Sequence, residues 1–207
     1  MDSGKFREEI APVPVSPRNR PSSILDTDET PMRDTTLEKL SKLIPIYSDG
    51  VCTAGNSSTE NDGAAAVVLM TETKAKELNI EPTVCLKAFA IAATDPILTY
   101  PAVPASVSKV LKKVGITIDQ VDLFEIQEAF AVQALADAKL MGISPIDFDH
   151  KINVNGSGIS LGHMIAATGA MRLLTLISEM KRRGSKYGLV TICGGGGQGI
   201  SALLEAG

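Results

Sequence analysis

Short apolar runs alternate with amphipathic stretches over residues 81–207. Runs with the length of strands lie at residues 83–91, 121–126, 187–193 and 199–205, and residues 152–155 are short and strand-like. Apolar positions at helical spacing predict helices at residues 104–115, 129–141 and 165–183. Gly142 and Gly184 would end the last two helices. This order predicts an α/β layered fold with a largely parallel or mixed sheet.

The first 80 residues follow two other patterns. Residues 63–70 form an apolar run that predicts a buried strand, and residues 72–78 predict a helix. Residues 1–50 mix prolines with polar residues and predict only one short helix at residues 35–40, capped by Asp34 or Thr35. Such a segment buries little by itself, so we expect it to lie over a partner surface.

Composition excludes several classes of function. The 207 residues carry a net charge of -4, and the one basic cluster, residues 181–183, closes a predicted helix, so no nucleic-acid partner is expected. No apolar run approaches the roughly 18 residues of a membrane span. Three distant cysteines and the lack of a signal-peptide core favour a reducing, cytoplasmic location. With two histidines and no metal-ligand spacing, we expect no metal site.

The strongest local signal is a cysteine followed by glycines, Cys193-Gly-Gly-Gly-Gly-Gln-Gly199. Glycines cost conformational entropy, so a purely structural use would be wasteful. The functional interpretation is a bare backbone that offers N–H donors to an oxyanion, beside a cysteine that acts as nucleophile or proton carrier. The alternative is a buried structural cysteine next to a flexible turn.

Two further segments carry candidate chemistry. His163 follows a small-residue loop and leads into the helix predicted from residue 165, where the helix dipole would keep the imidazole neutral. Gln127 and Glu128 lie at a strand-to-helix junction, the place where α/β proteins commonly bind ligands. A structural histidine and a favourable first-turn acid are the alternatives.

Taken together, these segments resemble the thiolase family. Residues 127–130 match its Asn-Glu-Ala-Phe motif, Gly162-His163 its Gly-His-Pro motif, and residues 193–195 its Cys-x-Gly motif. Residues 9–13, 53–58 and 61–64 also look like thiolase sequence, in order and at family spacing. The resemblance implies a thiolase-like layered α-β-α-β-α fold. This chain would supply the C-terminal mixed-sheet half (residues 81–207), strands and a helix completing the N-terminal domain (51–80), and the end of the loop domain (1–50).

The resemblance also implies roles for individual residues. His163 would activate a nucleophilic cysteine, Cys193 would move a proton on and off the α-carbon of acetyl-CoA, and the Gly195 N–H would help form an oxyanion hole. The amide of Gln127 would hold an oxyanion water. The remaining predicted substrate-binding residues are Ser58, Phe130 and Met164. The substrate would be a coenzyme A thioester, with no permanently bound cofactor.

Three departures from the family pattern affect the substrate more than the chemistry. Gln127 replaces the family asparagine, and Met164 replaces a proline with a preset φ. Residues 98–104 differ from a Met-Gly-x-Gly-Pro stretch, so the acyl pocket is expected to differ.

Members of the family are about twice this length, and their nucleophilic cysteine lies in the half that precedes these motifs. Cys52 and Cys85 match no motif and are expected to be packing residues. The partner implied is a thiolase N-terminal-half subunit carrying the nucleophile, in a hetero-oligomer built on thiolase dimers. A nicked or truncated thiolase would be chemically equivalent.

Two rival functions remain open. A non-catalytic thiolase-like subunit that binds acyl-CoA or acts as a scaffold is favoured by Gln127 and Met164, whereas retention of His163 and Cys193 favours an enzyme. A decarboxylating condensing enzyme of the same fold would use other acid–base groups in place of Cys193.

Overall fold

A computed structural model of the chain describes residues 2–16, 18, 21–98 and 100–207. Residues 17, 19 and 20, part of the predicted extended segment, and Thr99, part of the divergent 98–104 stretch, lie outside the described residues. In the described part no helix is long and apolar enough to cross a membrane. No group of three or more His, Cys, Asp or Glu residues there could hold a metal ion.

The strands form a small hairpin and one four-stranded mixed sheet. The hairpin pairs β1 (Val13–Val15) with β2 (Ser23–Leu25). The sheet contains β3 (Val84–Ala93), β4 (Leu123–Ile126), β5 (Tyr187–Gly194) and β6 (Gln198–Ala206) in the order β3-β6-β5-β4. Only β4 and β5 are parallel, so the prediction of a mixed sheet is confirmed.

Seven α-helices and two 3₁₀ turns are seen in the described residues. They are α1 (Leu37–Ser41), α2 (Glu72–Glu77), α3 (Ala102–Val114), the 3₁₀ turn Ile118–Gln120, α4 (Ala131–Leu140), α5 (Pro145–Lys151), α6 (Gly158–Leu161), the 3₁₀ turn Ile165–Ala167 and α7 (Thr168–Arg183). Thr36, rather than Asp34 or Thr35, caps α1. Helix α5 was not predicted, and residues 152–155 form a single bridge instead of a strand.

Helices cover both faces of the sheet, because successive strand residues point to opposite sides. Phe124, Leu189 and Leu203 pack in one apolar cluster with residues of α3 and α4. Their neighbours Leu123, Val190 and Leu204 pack in a second cluster with Leu176 and Met180 of α7. The chain is therefore layered α-β-α, which confirms the predicted α/β class.

Helix α7 covers only the β4–β5 half of its face of the sheet. On the β3–β6 half, Phe89 and Ile91 are 57% and 59% exposed, and Ile200, the cross-strand neighbour of Ile91, is also exposed. We call Phe89, Ile91 and Ile200 the open face. Large exposed apolar patches on a sheet mark binding surfaces.

The edge of the sheet at β3 is occupied by lysines from α3. Lys109 Nζ donates to the Ile91 carbonyl at 3.1 Å, and Lys113 Nζ donates to the Phe89 carbonyl at 2.8 Å. Lys113 Nζ also lies 5.6 Å from the centre of the Phe89 ring.

No regular secondary structure is seen at residues 63–70, where the sequence predicts a strand. An apolar run becomes a strand only when a neighbouring strand satisfies its backbone, and no described strand pairs with this one. Val68 and Leu69 are 82% and 78% exposed. The N-terminal segment, which was expected to lie over a partner, packs partly on α7 of the same chain. Phe6 is buried, and the Thr175 hydroxyl of α7 donates to the Glu9 carboxylate at 2.8 Å.

Candidate active site

The glycines after Cys193 close a β-hairpin between β5 and β6. Gly195–Gly197 form the turn, and Cys193 pairs with Gly199. Gly196 and Gly197 have φ of 78° and 75°, and a Cβ on Gly197 would lie 2.6 Å from the Asp95 carbonyl oxygen. The expectation that a structural use would be wasteful is therefore wrong for these two glycines. Gly195 differs, because a Cβ there would meet nothing within 4 Å and its backbone is open.

Cys193 lies half-buried near the end of β5, against the cluster formed with α3 and α4. Burial, and to a lesser extent the Asp137 charge, raise the pKa of the Cys193 thiol to about 11. Asp137 is itself fully buried on α4, and burial raises its pKa to about 7. At neutral pH the Cys193 thiol therefore carries its proton.

Gln127 follows β4 directly, and its backbone N–H extends the parallel pairing by donating to Thr191 at 3.0 Å. Its side chain is 1% exposed, and its Oε1 accepts from Arg172 Nε at 2.9 Å. Within the described residues the amide Nε2 has no hydrogen-bond partner. The amide predicted for the site is present, but it is enclosed by protein.

His163 is held by its backbone against residues 59–61. Its N–H donates to the Thr59 carbonyl at 2.9 Å, and its carbonyl accepts from Asn61 N–H at 3.1 Å. Gly162, with φ of 83°, lets the chain reach this position, since a Cβ there would collide with Asn61. The close packing of Asn61 on Gly162 therefore fixes the backbone position of His163.

The His163 ring meets α7 at the first residue of that helix. Nδ1 and Thr168 Oγ1 are 2.7 Å apart. The sequence predicts a helix from Ile165, but residues 165–167 form a 3₁₀ turn and α7 starts at Thr168. Burial lowers the pKa of His163, the Arg172 charge lowers it further, and Glu60 partly offsets both. The imidazole is therefore favoured in its neutral form, for reasons other than the helix dipole alone.

Of the three substrate-binding residues predicted from the resemblance, two lie side by side and the third packs elsewhere. Ser58 N–H donates to the Ala129 carbonyl at 2.9 Å, beside the bridge between Ser57 and Phe130, so Ser58 and Phe130 are neighbours. Phe130 is 41% exposed. Met164 is buried, and its side chain packs so closely on Gly63 that a Cβ there would collide with it.

Gln127 and Cys193 lie at the same edge of the sheet, the one formed by the carboxyl ends of the paired parallel strands β4 and β5. Gln127 directly follows β4, and Cys193 is the second-last residue of β5. The start of α7 lies over this edge: a Cβ on Gly169 would be 3.5 Å from Ile192 Cδ1. His163 joins the assembly through Thr168. Carboxyl ends of parallel strands are the usual location of ligands in α/β folds.

Asn153, which the sequence patterns did not single out, ties this edge together. Its Oδ1 accepts from Ile126 N–H at 2.8 Å, and its Nδ2 donates to the Ile126 carbonyl and to Glu128 Oε1, both at 2.9 Å. Glu128 Oε2 in turn accepts from Ile159 N–H at 3.2 Å. Glu128 therefore joins the strand end to the loop that leads to His163.

Arg172 was also missed. It is fully buried, and burial raises the pKa of its neighbour Glu125 to about 8. The signal was available, because Arg172 lies one helical turn from Thr168 and from Leu176, on the stripe of α7 that faces the protein. An arginine on a buried stripe needs partners, which a sequence pattern alone does not identify.

Family models match almost the whole chain. The model for "Thiolase, C-terminal domain" matches residues 80–206, and that for "Thiolase, N-terminal domain" matches residues 1–73. An acetyl-CoA acetyltransferase of Allochromatium vinosum is 47% identical over 98% of this chain and 51% of its own length. A 3-ketoacyl-CoA thiolase of Vibrio vulnificus is 42% identical over 98% of this chain and 52% of its own length.

Two solved structures superpose closely on this chain. The Bacillus anthracis acetyl-CoA acetyltransferase superposes with a TM-score of 0.94 at 41% identity, covering 99% of this chain and 51% of that one. Human mitochondrial 3-ketoacyl-CoA thiolase superposes with a TM-score of 0.90 at 35% identity, covering 100% and 51%. The chain spans about half the length of the relatives it matches. It belongs to the thiolase family.

Proposed function

We propose that this chain supplies the acid–base half of a thiolase active site that transfers acyl groups between coenzyme A thioesters. The nucleophilic cysteine would come from a thiolase N-terminal half, on a separate subunit or upstream on the same polypeptide. The observation that carries the proposal is the shared edge: Cys193 and Gln127 end paired parallel strands, and His163 reaches that edge through Thr168.

The geometry suits a cleavage of 3-ketoacyl-CoA by coenzyme A. In the tautomer where His163 Nδ1 donates to Thr168 Oγ1, Nε2 is free to accept the proton of the nucleophilic thiol. The thiolate adds to the 3-keto carbon, the C2–C3 bond breaks, and its electron pair stays on C2 of the acetyl-CoA enolate. Cys193 gives its proton to C2. A second coenzyme A thiol then protonates the Cys193 thiolate and takes the acyl group, and the released cysteine recovers its proton from His163.

The high pKa of Cys193 fits the step in which it acts as an acid. A thiol that keeps its proton at neutral pH is ready to protonate the enolate. In the condensing direction the same thiol would first protonate the departing coenzyme A thiolate, and the Cys193 thiolate so formed would then take a proton from C2 of the second acetyl-CoA. The Gly195 N–H, on the open side of the hairpin, is the candidate donor to an oxyanion.

The open face supports a role for the N-terminal half as partner. Phe89, Ile91 and Ile200 are exposed beside α7, which covers only half of this face of the sheet. A helix of the N-terminal half packed there would complete the layer. The exposed residues 67–70 would gain a neighbouring strand from the same partner. The assembly would then be a hetero-oligomer, or a thiolase dimer if both halves share one chain.

The test is thiolysis of acetoacetyl-CoA by this chain combined with a thiolase N-terminal half. We expect turnover by the complex and a fall of about 10²–10⁴-fold for His163→Ala or Cys193→Ala. Cys85→Ala, an exposed cysteine outside the site, is the matched control and should retain activity. Full activity of either alanine variant would refute the assigned roles.

The second candidate is an acyl-CoA-binding subunit without catalysis. It is favoured by the enclosure of Gln127, whose amide oxygen is already held by Arg172. Calorimetric binding of acetyl-CoA by a complex that shows no turnover would support this candidate over the enzyme.

A further inference from the structure

Arg172 is the one fully buried arginine among the described residues. It lies within α7, and it makes two hydrogen bonds to residues of the site through separate nitrogens. Nε donates to Gln127 Oε1 at 2.9 Å, and Nη2 donates to the Gly162 carbonyl at 2.9 Å. Gly162 immediately precedes His163, so one guanidinium holds two segments of the site.

The first contact fixes which way the Gln127 amide faces. A guanidinium has donors only, so the atom that meets Arg172 Nε must be the amide oxygen. The amide Nε2 is therefore directed away from Arg172, and among the described residues it is left as an uncommitted donor inside the protein. Without Arg172 the amide could rotate and present its oxygen in place of its N–H₂.

The length of Gln127 is part of this arrangement. An asparagine, one methylene shorter, would draw the amide back from Arg172 Nε. The glutamine that replaces the asparagine of the family motif is thus the residue whose amide oxygen reaches the buried Arg172.

We propose that Arg172 is a positioning residue for the acyl transfer, holding the Gln127 amide with its N–H₂ free and fixing the carbonyl before His163. The proposal rests on the function proposed above. It assigns Arg172 no contact with substrate: Arg172 acts through Gln127 and His163.

The charge of Arg172 bears on the same site. Burial is the larger cause that lowers the pKa of His163, Arg172 lowers it further, and Glu60 opposes both. Burial lowers the pKa of Arg172 itself, and four surrounding carboxyl groups oppose that shift: Glu125, Glu128, Asp28 and Glu9. Removal of the guanidinium charge should therefore raise the pKa of His163.

The kinetic test compares three variants of the chain in complex with the N-terminal half. Arg172→Lys keeps the charge but cannot reproduce the two-pronged contact. Arg172→Met removes both. Arg182→Met, on the same helix and outside the site, is the control. We expect Arg172→Lys and Arg172→Met to lower kcat by about 10- to 100-fold, with KM changed less than about threefold, since misplacement of catalytic groups acts on the chemical step.

The second test reads His163 without turnover. The chain has two histidines, so His150→Gln assigns both imidazole signals in an NMR pH titration. We expect the apparent pKa of His163 to rise in Arg172→Met, to remain near the parent value in Arg172→Lys, and to be unaffected in Arg182→Met. A helix that merely needed a side chain at this position would show no such difference between lysine and methionine.

Each outcome decides one question. If the unsubstituted complex shows no thiolysis, the proposed function fails. The titration then still tests whether Arg172 influences the pKa of His163. A kcat within about twofold of the control in both Arg172 variants, or no rise of the His163 pKa in Arg172→Met, would overturn the positioning role. Should Arg172→Met not fold, Arg172→Gln serves as the neutral variant. Gln127→Asn, which keeps the charge, should lower kcat and leave the His163 titration unchanged.

Discussion

Cys193 should react with alkylating reagents much more slowly than the exposed cysteine of the same chain. Only the thiolate attacks iodoacetamide, and burial raises the pKa of the Cys193 thiol to about 11 from an ordinary value of 9.0. The ionised Asp137 is the second cause. Asp137→Asn removes that charge and keeps the shape of the side chain, so it isolates the electrostatic part of the effect.

The expected magnitude follows from the shift of two pKa units. At pH 8 the thiolate fraction falls about 100-fold, and the greater nucleophilicity of a more basic thiolate recovers about eightfold. Ionisation alone therefore slows alkylation about tenfold relative to an unperturbed thiol. The half-buried position of Cys193 slows it further.

Peptide mapping by mass spectrometry after timed alkylation measures all three cysteines in one sample. Cys85, which is exposed, is the internal reference. The ratio of the Cys193 rate to the Cys85 rate should be about 0.1 or less at pH 8 and should increase in Asp137→Asn. The Cys193 rate should also continue to climb with pH well above pH 9.

Equal alkylation of Cys193 and Cys85 at pH 8 would refute the reasoning, because it would mean that the Cys193 thiol is neither protonated nor enclosed. An Asp137→Asn variant with an unchanged Cys193 rate would leave burial as the sole cause.

Three further predictions concern stability. The free energy of unfolding should fall as pH rises from about 4 to about 7, by up to about 1.4 kcal/mol per pH unit, because folded Asp137 keeps its proton to about pH 7 whereas the unfolded carboxyl ionises near 3.8. Urea titrations at several pH values should find that slope flattened in Asp137→Asn; an unchanged slope would contradict the assignment. Gly162→Ala should cost about 1–3 kcal/mol in urea unfolding, since φ is 83° and Asn61 occupies the space of a Cβ. Asn153→Ala should lower the unfolding free energy by about 1–3 kcal/mol, since it leaves the Ile126 N–H without its side-chain partner, whereas the Ile126 carbonyl keeps the Ser157 hydroxyl as a donor; a loss below about 0.5 kcal/mol would argue against that role.

The regular elements of residues 81–207 were predictable because local periodicity and burial agree there. Strand β5 and helix α7 each have an apolar pattern of the right period, and Gly184 ends α7 in the left-handed conformation. Helix α5 was missed although its signals are present: Ser144 caps it and Pro145 stands at its first position. Its short length hides the periodicity.

What could not be predicted depends on contacts between distant residues. The apolar run at residues 63–70 carries the composition of a strand, but pairing requires a partner that composition does not provide. The contact of Arg172 with Gln127 joins a helix to a strand end 45 positions apart. The motif residues stand out in the sequence and receive roles from the family resemblance, whereas Arg172 and Asn153, which hold them, belong to none of the matched motifs.

The α3 lysines that bind the edge strand β3 have a consequence for how this chain behaves in a crowded solution. An unoccupied edge is a template on which a foreign strand can grow, and such growth leads to aggregates. Lys109 and Lys113 engage the carbonyls of Ile91 and Phe89 that a foreign strand would need, so an incoming strand must first displace two ammonium groups. The chain can therefore keep an apolar surface available on the flat side of its sheet while sealing the side from which fibres would extend.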